Sequence, residues 1–241
     1  MSPLKHLLPI LLLCSASAHA AEHPRYAVIS LIGDQLTIVT HASATGSRLD
    51  SNPKQAIQAS ALALDDKILE EVDRQMPKLA PGAEVSLLGI SSEAAYQKGD
   101  EALQVPAVRK ALEREHPDRI ILISKYRGDA RLKLKNQAIG SGYLQGIGFY
   151  VDDSYRVRDT DTGATGDGFI APFAYIRLSL LDGHDLREIR TLPVTASYTF
   201  SSSRGQSGKA WDALSATEKL SILGRLTLGS VRTHLPELFA N

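Results

Sequence analysis

Cysteine is almost missing from this chain: Cys14 is the only one among 241 residues. A disulfide framework is thereby excluded, and stability has to come from a hydrophobic core. Neither charge sign is in excess, with 27 Lys plus Arg against 27 Asp plus Glu. No broad basic field therefore points to nucleic acid or to an anionic lipid surface as the partner. Beyond Ala21 no apolar stretch approaches the length of a membrane-spanning helix, and none is expected. No internal repeat and no linker long enough to separate two domains is present.

The first twenty residues, "MSPLKHLLPILLLCSASAHA", combine one lysine, an apolar core from Leu7 to Leu13 and small residues ending in Ala18-His19-Ala20. That is the grammar of a secretory signal peptide with an A-x-A cleavage site, so residues 1–20 are expected to be removed and 21–241 to form one periplasmic domain. "LLLC" lacks the small residue expected before a lipoprotein cysteine, so lipidation at Cys14 is not expected. An exported chain without disulfides suits a bacterial periplasm better than a eukaryotic secretory route.

"YAVISLIGDQLTIV" places Gly33-Asp34 between two β-rich runs, which predicts a hairpin with a type II′ turn. Ile57, Ala61, Leu64, Ile68, Val72 and Met76 recur as a helical stripe, interrupted at Asp65-Asp66. Pro53 suits a first helical turn, capped by Asp50, Ser51 or Asn52. "EVSLLGIS", a helix from Pro106 ended by His116-Pro117-Asp118, and a strand from Arg119 make a βαβ unit. Antiparallel strands follow, with a second hairpin at Asp182-Gly183. A last helix carries Trp211, Leu214, Leu220, Leu223, Leu226, Val231 and Leu235, and its Gly224 and Gly229 are expected to allow close packing. The fold class is α/β to α+β, a single mixed sheet with helices packed on it.

Gly33-Asp34 also invites comparison with the Gly-Asp-Ser block of serine esterases, where the serine attacks an acyl carbon. Gln35 stands in the serine position and Val231 lies three residues before His234, so both halves of that motif fail. No G-x-S-x-G elbow is present. Ser51-x-x-Lys54 lacks a companion K-T-G, and "SRGQSGK" lacks the first glycine of a P-loop. None of the five histidines beyond residue 20 forms a zinc-type pair. "DTDTGATGDG" departs from an EF-hand at its sixth and twelfth places, yet Asp159, Asp161 and Asp167 are candidate ligands for an irregular calcium site. No other cofactor is expected.

The pattern "PAVRKALEREHPDRIILISKYRG", then "FAYIRLSLLDGHDLREI", then an amphipathic helix resembles the small periplasmic α/β accessory domains. These are found at the amino end of the Tol-system β-propeller protein, in the curli secretion lipoprotein and in outer-membrane activators of peptidoglycan synthases. The likeness covers roughly residues 84–235 and includes no catalytic motif. It implies a non-catalytic binding or accessory role in the cell envelope, with an envelope protein or a cell-wall component as partner. The expected working surface is the glycine- and tyrosine-rich segment, through Tyr143, Phe149, Tyr150, Tyr155 and Phe169. The alternative is an envelope hydrolase that draws on Asp152, Asp153, Asp159, Asp161 and His184 as acid and base.

Overall fold

The computed structural model describes residues 23–43, 51–59, 63–134, 137–159, 161–205 and 207–240. The expected signal peptide lies outside them. Twelve strands and four α-helices follow in chain order: β1 (Arg25–Leu31), β2 (Gln35–Thr40), β3 (Lys54–Gln58), α1 (Leu64–Leu79), β4 (Glu84–Leu88), α2 (Glu93–Lys98), α3 (Pro106–Glu115) and β5 (Arg119–Lys125). Then come β6 (Arg127–Asp129), β7 (Leu132–Leu134), β8 (Gln137–Ile139), β9 (Tyr143–Arg158), β10 (Thr165–Asp182), β11 (Glu188–Ser197), β12 (Phe200–Ser201) and α4 (Ala216–His234). The main sheet runs β3-β2-β9-β10-β5-β1-β4, with β11 and β12 on β10 and β6 on β9. This is the expected mixed sheet of an α+β fold.

The expected first hairpin does not form. β1 pairs in parallel with β4 on one side and β5 on the other, whereas β2 pairs with β3 and β9. The reason lies in burial: Ala27, Ile29 and Leu31 pack on one face and Val28 and Ile32 on the other. A strand apolar on both faces belongs in the interior of a sheet, and both of its edges are taken before β2 can claim one. Gly33 has no left-handed backbone, so the type II′ turn is absent too.

The helical stripe also begins later than its periodicity predicts. Ile57 lies in β3, an edge strand exposed along its whole length, and α1 starts at Leu64. Pro53 therefore precedes a strand. Asn52, expected as a cap, instead accepts from Ala42 N at 3.0 Å and donates to Ser141 O at 2.7 Å, stitching two loops together. Leu64, Ile68, Val72 and Met76 do bury one face, where α1 packs on β1, β4 and α4. Truncating a fully buried Ile68 to alanine costs about 2–5 kcal/mol.

α1 and α4 cover one face of the sheet, and α2 and α3 the other. α4 opens with the capping box of Ser215 and Glu218. The βαβ expectation holds in outline, since β4 and β5 run parallel and flank β1. The second hairpin holds as well, β10 and β11 pairing from Phe173–Ser197 to Leu181–Glu188. The aspartate- and glycine-rich segment from Arg156 to Phe169 is mostly strand, because β9 runs on to Arg158 and β10 begins at Thr165. Gly148 is required within β9: a Cβ there would lie 1.9 Å from Thr37 O, so only glycine admits β2 at that distance.

Candidate functional site

Two turns distant in sequence meet at one edge of the α2/α3 face. α3 ends at His116, whose φ of 46° is left-handed, and Pro117-Asp118 leads into β5. The β10–β11 turn packs directly on it. Gly183 N donates to Asp118 O at 2.9 Å, and a Cβ on Gly183 would stand 1.8 Å from Pro117 O. Glycine is the only residue that fits there. Arg119 Nη1 ties the two turns together, donating to Asp118 O and Asp182 Oδ2 at 2.9 Å each. The His184 backbone N–H, donating to Asp182 Oδ1 at 3.0 Å, is the main cause that holds the Asp182 carboxyl below the usual carboxylate range.

A cleft of about 590 Å³ opens beside this junction, within the ~300–1,000 Å³ common for ligand sites. Leu103, Leu112, Pro117 and Leu186 give it apolar walls, and Arg25, Arg109, Glu113, His116 and His184 supply polar groups. Asp118 occupies Arg25, accepting from its backbone N at 2.8 Å with the guanidinium 3.8 Å away. Arg109 and Glu113, one turn apart on α3, have no such partner among the described residues. Leu186 has φ 60°. Among the described residues, two of the three non-glycine residues with positive φ thus line this cleft, and backbone strain of this kind gathers at functional sites.

A smaller cavity of about 310 Å³ lies where β1 and β4 end. The connections leaving these adjacent strands pass through α1 on one face and α2/α3 on the other, the arrangement that opens a crevice at strand ends. Its hub is Asp65, at the start of α1. Asp65 Oδ1 accepts from Ser30 Oγ at 2.5 Å and Ile32 N at 3.1 Å, and Oδ2 accepts from Gly33 N at 3.0 Å and Tyr96 OH at 2.7 Å. Asp34 forms an ion pair with Lys125 at the end of β5. Burial first, and then the Asp65 charge, push the Tyr96 phenol well above its usual pKa. Every acceptor position of Asp65 is used to hold its own chain, so this crevice reads as architecture.

No protein-family model matches the chain, and no curated protein is significantly similar to it. Among solved structures it is similar to a neuraminyllactose-binding hemagglutinin homolog from Helicobacter pylori, at 8% identity and TM-score 0.41, covering 90% of this chain and 84% of that one. Protein XCC0632 from Xanthomonas campestris follows at 10% identity and TM-score 0.36, covering 89% and 82%. These likenesses are too distant to carry a function.

The aromatic surface expected from the sequence is largely interior. Phe149, Tyr150 and Phe169 are buried, Tyr150 stacking on Phe169 at 5.9 Å between ring centroids. Tyr150 OH receives Ser141 N at 3.2 Å and sits 3.1 Å from His41 Nδ1. No ligand reaches these rings without opening the core. Tyr143 and Tyr155 stay partly exposed, Tyr143 beneath the Arg127 guanidinium and Tyr155 edge-on to Phe169. β9 alternates between two apolar clusters, which explains the inward rings: Tyr150, with Phe169 of β10, fills a third cluster under β7 and β8, and Phe149 turns to the α1/α4 face.

The aspartates do not converge either. Asp159 and Asp161 both bind Arg204, whose guanidinium is the first cause that lowers the Asp159 carboxyl far below its usual range. Asp167 stands apart, 3.5 Å from Arg156. Among the described residues no three of His, Cys, Asp and Glu are grouped to share a metal ion. Asp152 caps Ser154 and Tyr155, and Asp153 accepts from Ala210 N. His184 lies past the other end of the eighteen-residue β10, beside Asp118, so the acid-base pool is not one site. His116-Pro117-Asp118 and Asp182-Gly183 were visible as chain punctuation; nothing in the sequence signalled that they touch or that Arg109 faces the gap.

Proposed function

We propose that the chain is a non-catalytic binding or accessory protein of the bacterial cell envelope, exported by residues 1–20, and that its site is the cleft between the α3–β5 and β10–β11 turns. The observation that carries this reading is a cation and an anion, Arg109 and Glu113, that have no partner among the described residues and stand on one rim of an apolar-walled cleft. A ligand carrying both charges along a short apolar body fits them, as a peptide segment of an envelope protein or of the cell wall does. The lining supplies no serine, threonine, cysteine or lysine to act as a nucleophile, which favours holding over acyl transfer. The resemblance of the two turn-bearing segments to periplasmic accessory domains agrees with this.

The test is capture of solubilised muropeptides and envelope proteins on the immobilised mature chain. Arg109→Ala with Glu113→Ala, both on the exposed side of α3, should lose the captured species with an unchanged melting temperature. Equal capture by the double variant would remove the cleft from the reading. Sequencing of the exported protein should begin at Ala21.

A further inference from the structure

The interior of α4 contains two glycines that its packing does not need. A Cβ added at Gly224 or Gly229 meets nothing within 4 Å, so neither admits a neighbouring element, contrary to the close packing expected from sequence. Glycine inside a helix is costly beside alanine. At Gly224 the bare backbone floors a groove of about 440 Å³ between α1 and α4. Its walls are Leu64, Leu220, Leu223 and Leu228, and Leu220 is 43% exposed although it is a large apolar side chain.

The charged side chains that line the groove have one sign. Lys67 on α1 and Arg225 on α4 line it together with Thr217 and Ser221, and no carboxylate does. Arg225 donates only to Ser221 Oγ, at 3.0 Å, and Lys67 has no partner among the described residues. Of the acids nearby, Glu71 is bound to Arg232 and Arg74 and Glu218 sits in the capping box, while Asp66 and Glu70, close to Lys67 along α1, do not line the groove. The balanced total charge hides this local pair of cations.

We propose that the α1–α4 groove binds an anionic amphiphile, a single acyl chain bearing a carboxylate or phosphate head. The chain lies on the four leucines across Gly224, and the head meets Lys67 and Arg225. This site is separate from the cleft between the two turns and stands without it. The absence of a side chain at Gly224 keeps the groove open, which accounts for a glycine that helix stability disfavours.

Calorimetry on the mature chain with dodecanoate, dodecyl phosphate and dodecyltrimethylammonium, all below their micellar concentrations, tests the chemistry. Co-sedimentation with phosphatidylglycerol or phosphatidylcholine vesicles separates a free amphiphile from a lipid headgroup. The free anionic amphiphiles should bind, and sedimentation with phosphatidylglycerol vesicles without binding of either free anion would overturn the single-chain site. Lys67→Glu with Arg225→Glu should weaken that binding roughly tenfold or more, two screened charge contacts being lost. Gly224→Leu should abolish it while raising the melting temperature, since leucine favours a helix more than glycine does. Equal affinity for the cationic amphiphile, retained binding in Gly224→Leu, or no binding to any anionic probe at millimolar concentration would each overturn the proposal.

Discussion

Replacing Asp65 should be among the most damaging single polar substitutions in this protein, and asparagine should not rescue it. The carboxylate accepts four hydrogen bonds, two from backbone N–H groups at Ile32 and Gly33 and two from the hydroxyls of Ser30 and Tyr96. In Asp65→Ala the hydroxyls can turn to water in the adjoining crevice, but the two N–H groups are fixed by the end of β1. An unsatisfied buried donor costs about 1–3 kcal/mol, so the two, partly reached by water, set a loss of about 3 kcal/mol. Asparagine keeps the shape but points an NH₂ group at one pair of donors, so Asp65→Asn should lose a similar amount. Tyr96→Phe removes one donor and keeps the ring, at about 1 kcal/mol. Gly33→Ala should also be costly, because its Cβ would stand 2.8 Å from Asp65 Oδ2. For a domain of this size 1 kcal/mol moves the melting temperature by about 2–4 °C, so the two Asp65 variants should melt about 6–12 °C lower. Urea unfolding followed by circular dichroism measures this directly. If Asp65→Asn stays within about 1 kcal/mol of the parent, the hub does not carry the load assigned to it.

The Glu71 carboxylate, 6% exposed, receives Arg232 through two hydrogen bonds of 3.0 Å and is held down at about pKa 2, chiefly by that guanidinium. A carboxyl lowered on folding contributes stability above its unfolded pKa and loses it as pH falls toward the folded value. Because the guanidiniums of Arg232 and of Arg74, the second cation on Glu71, are more than half exposed, screening reduces the worth to about 1–2 kcal/mol. Arg232→Met should therefore be less stable than the parent at neutral pH, and the gap should close between about pH 4.5 and pH 2; a gap independent of pH would contradict the clamp. Tyr150→Ala should cost about 3–5 kcal/mol in thermal or urea unfolding, as a buried ring deletion does, and Tyr143→Ala about 1 kcal/mol or less. Similar losses at both positions would mean that the two rings are not divided between core and surface.

The mixed sheet was legible because the strands and helices differ in period, and the βαβ unit and the Asp182-Gly183 hairpin followed from it. The pairing of β1 was not. "YAVISLIGDQLTIV" carries a turn signal, and a local rule makes a hairpin of it, but the rule is blind to β4 and β5, which lie far along the chain. The aromatic segment failed similarly: glycines beside tyrosines suggested a working surface, whereas Gly148 serves the approach of β2, Tyr150 and Phe169 fill a third cluster, and Phe149 packs on the α1/α4 face. The Asp-rich loop was recognisable as a cluster of carboxylates, but its partner Arg204 was not, since the ion pair spans more than forty residues.

Composition, motif spacing and periodicity by themselves determined that this chain has no disulfide framework and no esterase motif, and that it folds, between α/β and α+β, as a mixed sheet with a closing amphipathic helix. These properties depend on residue type and near neighbours, which the sequence states outright. Only the tertiary structure decided what Gly33, Asp65 and Arg109 do. β1 ends beside α1 and not in a hairpin, so Gly33 leaves room for Asp65. His116-Pro117-Asp118 meets Gly183 only once β5 and β10 are paired, so the cleft beneath Arg109 exists only after the sheet has closed.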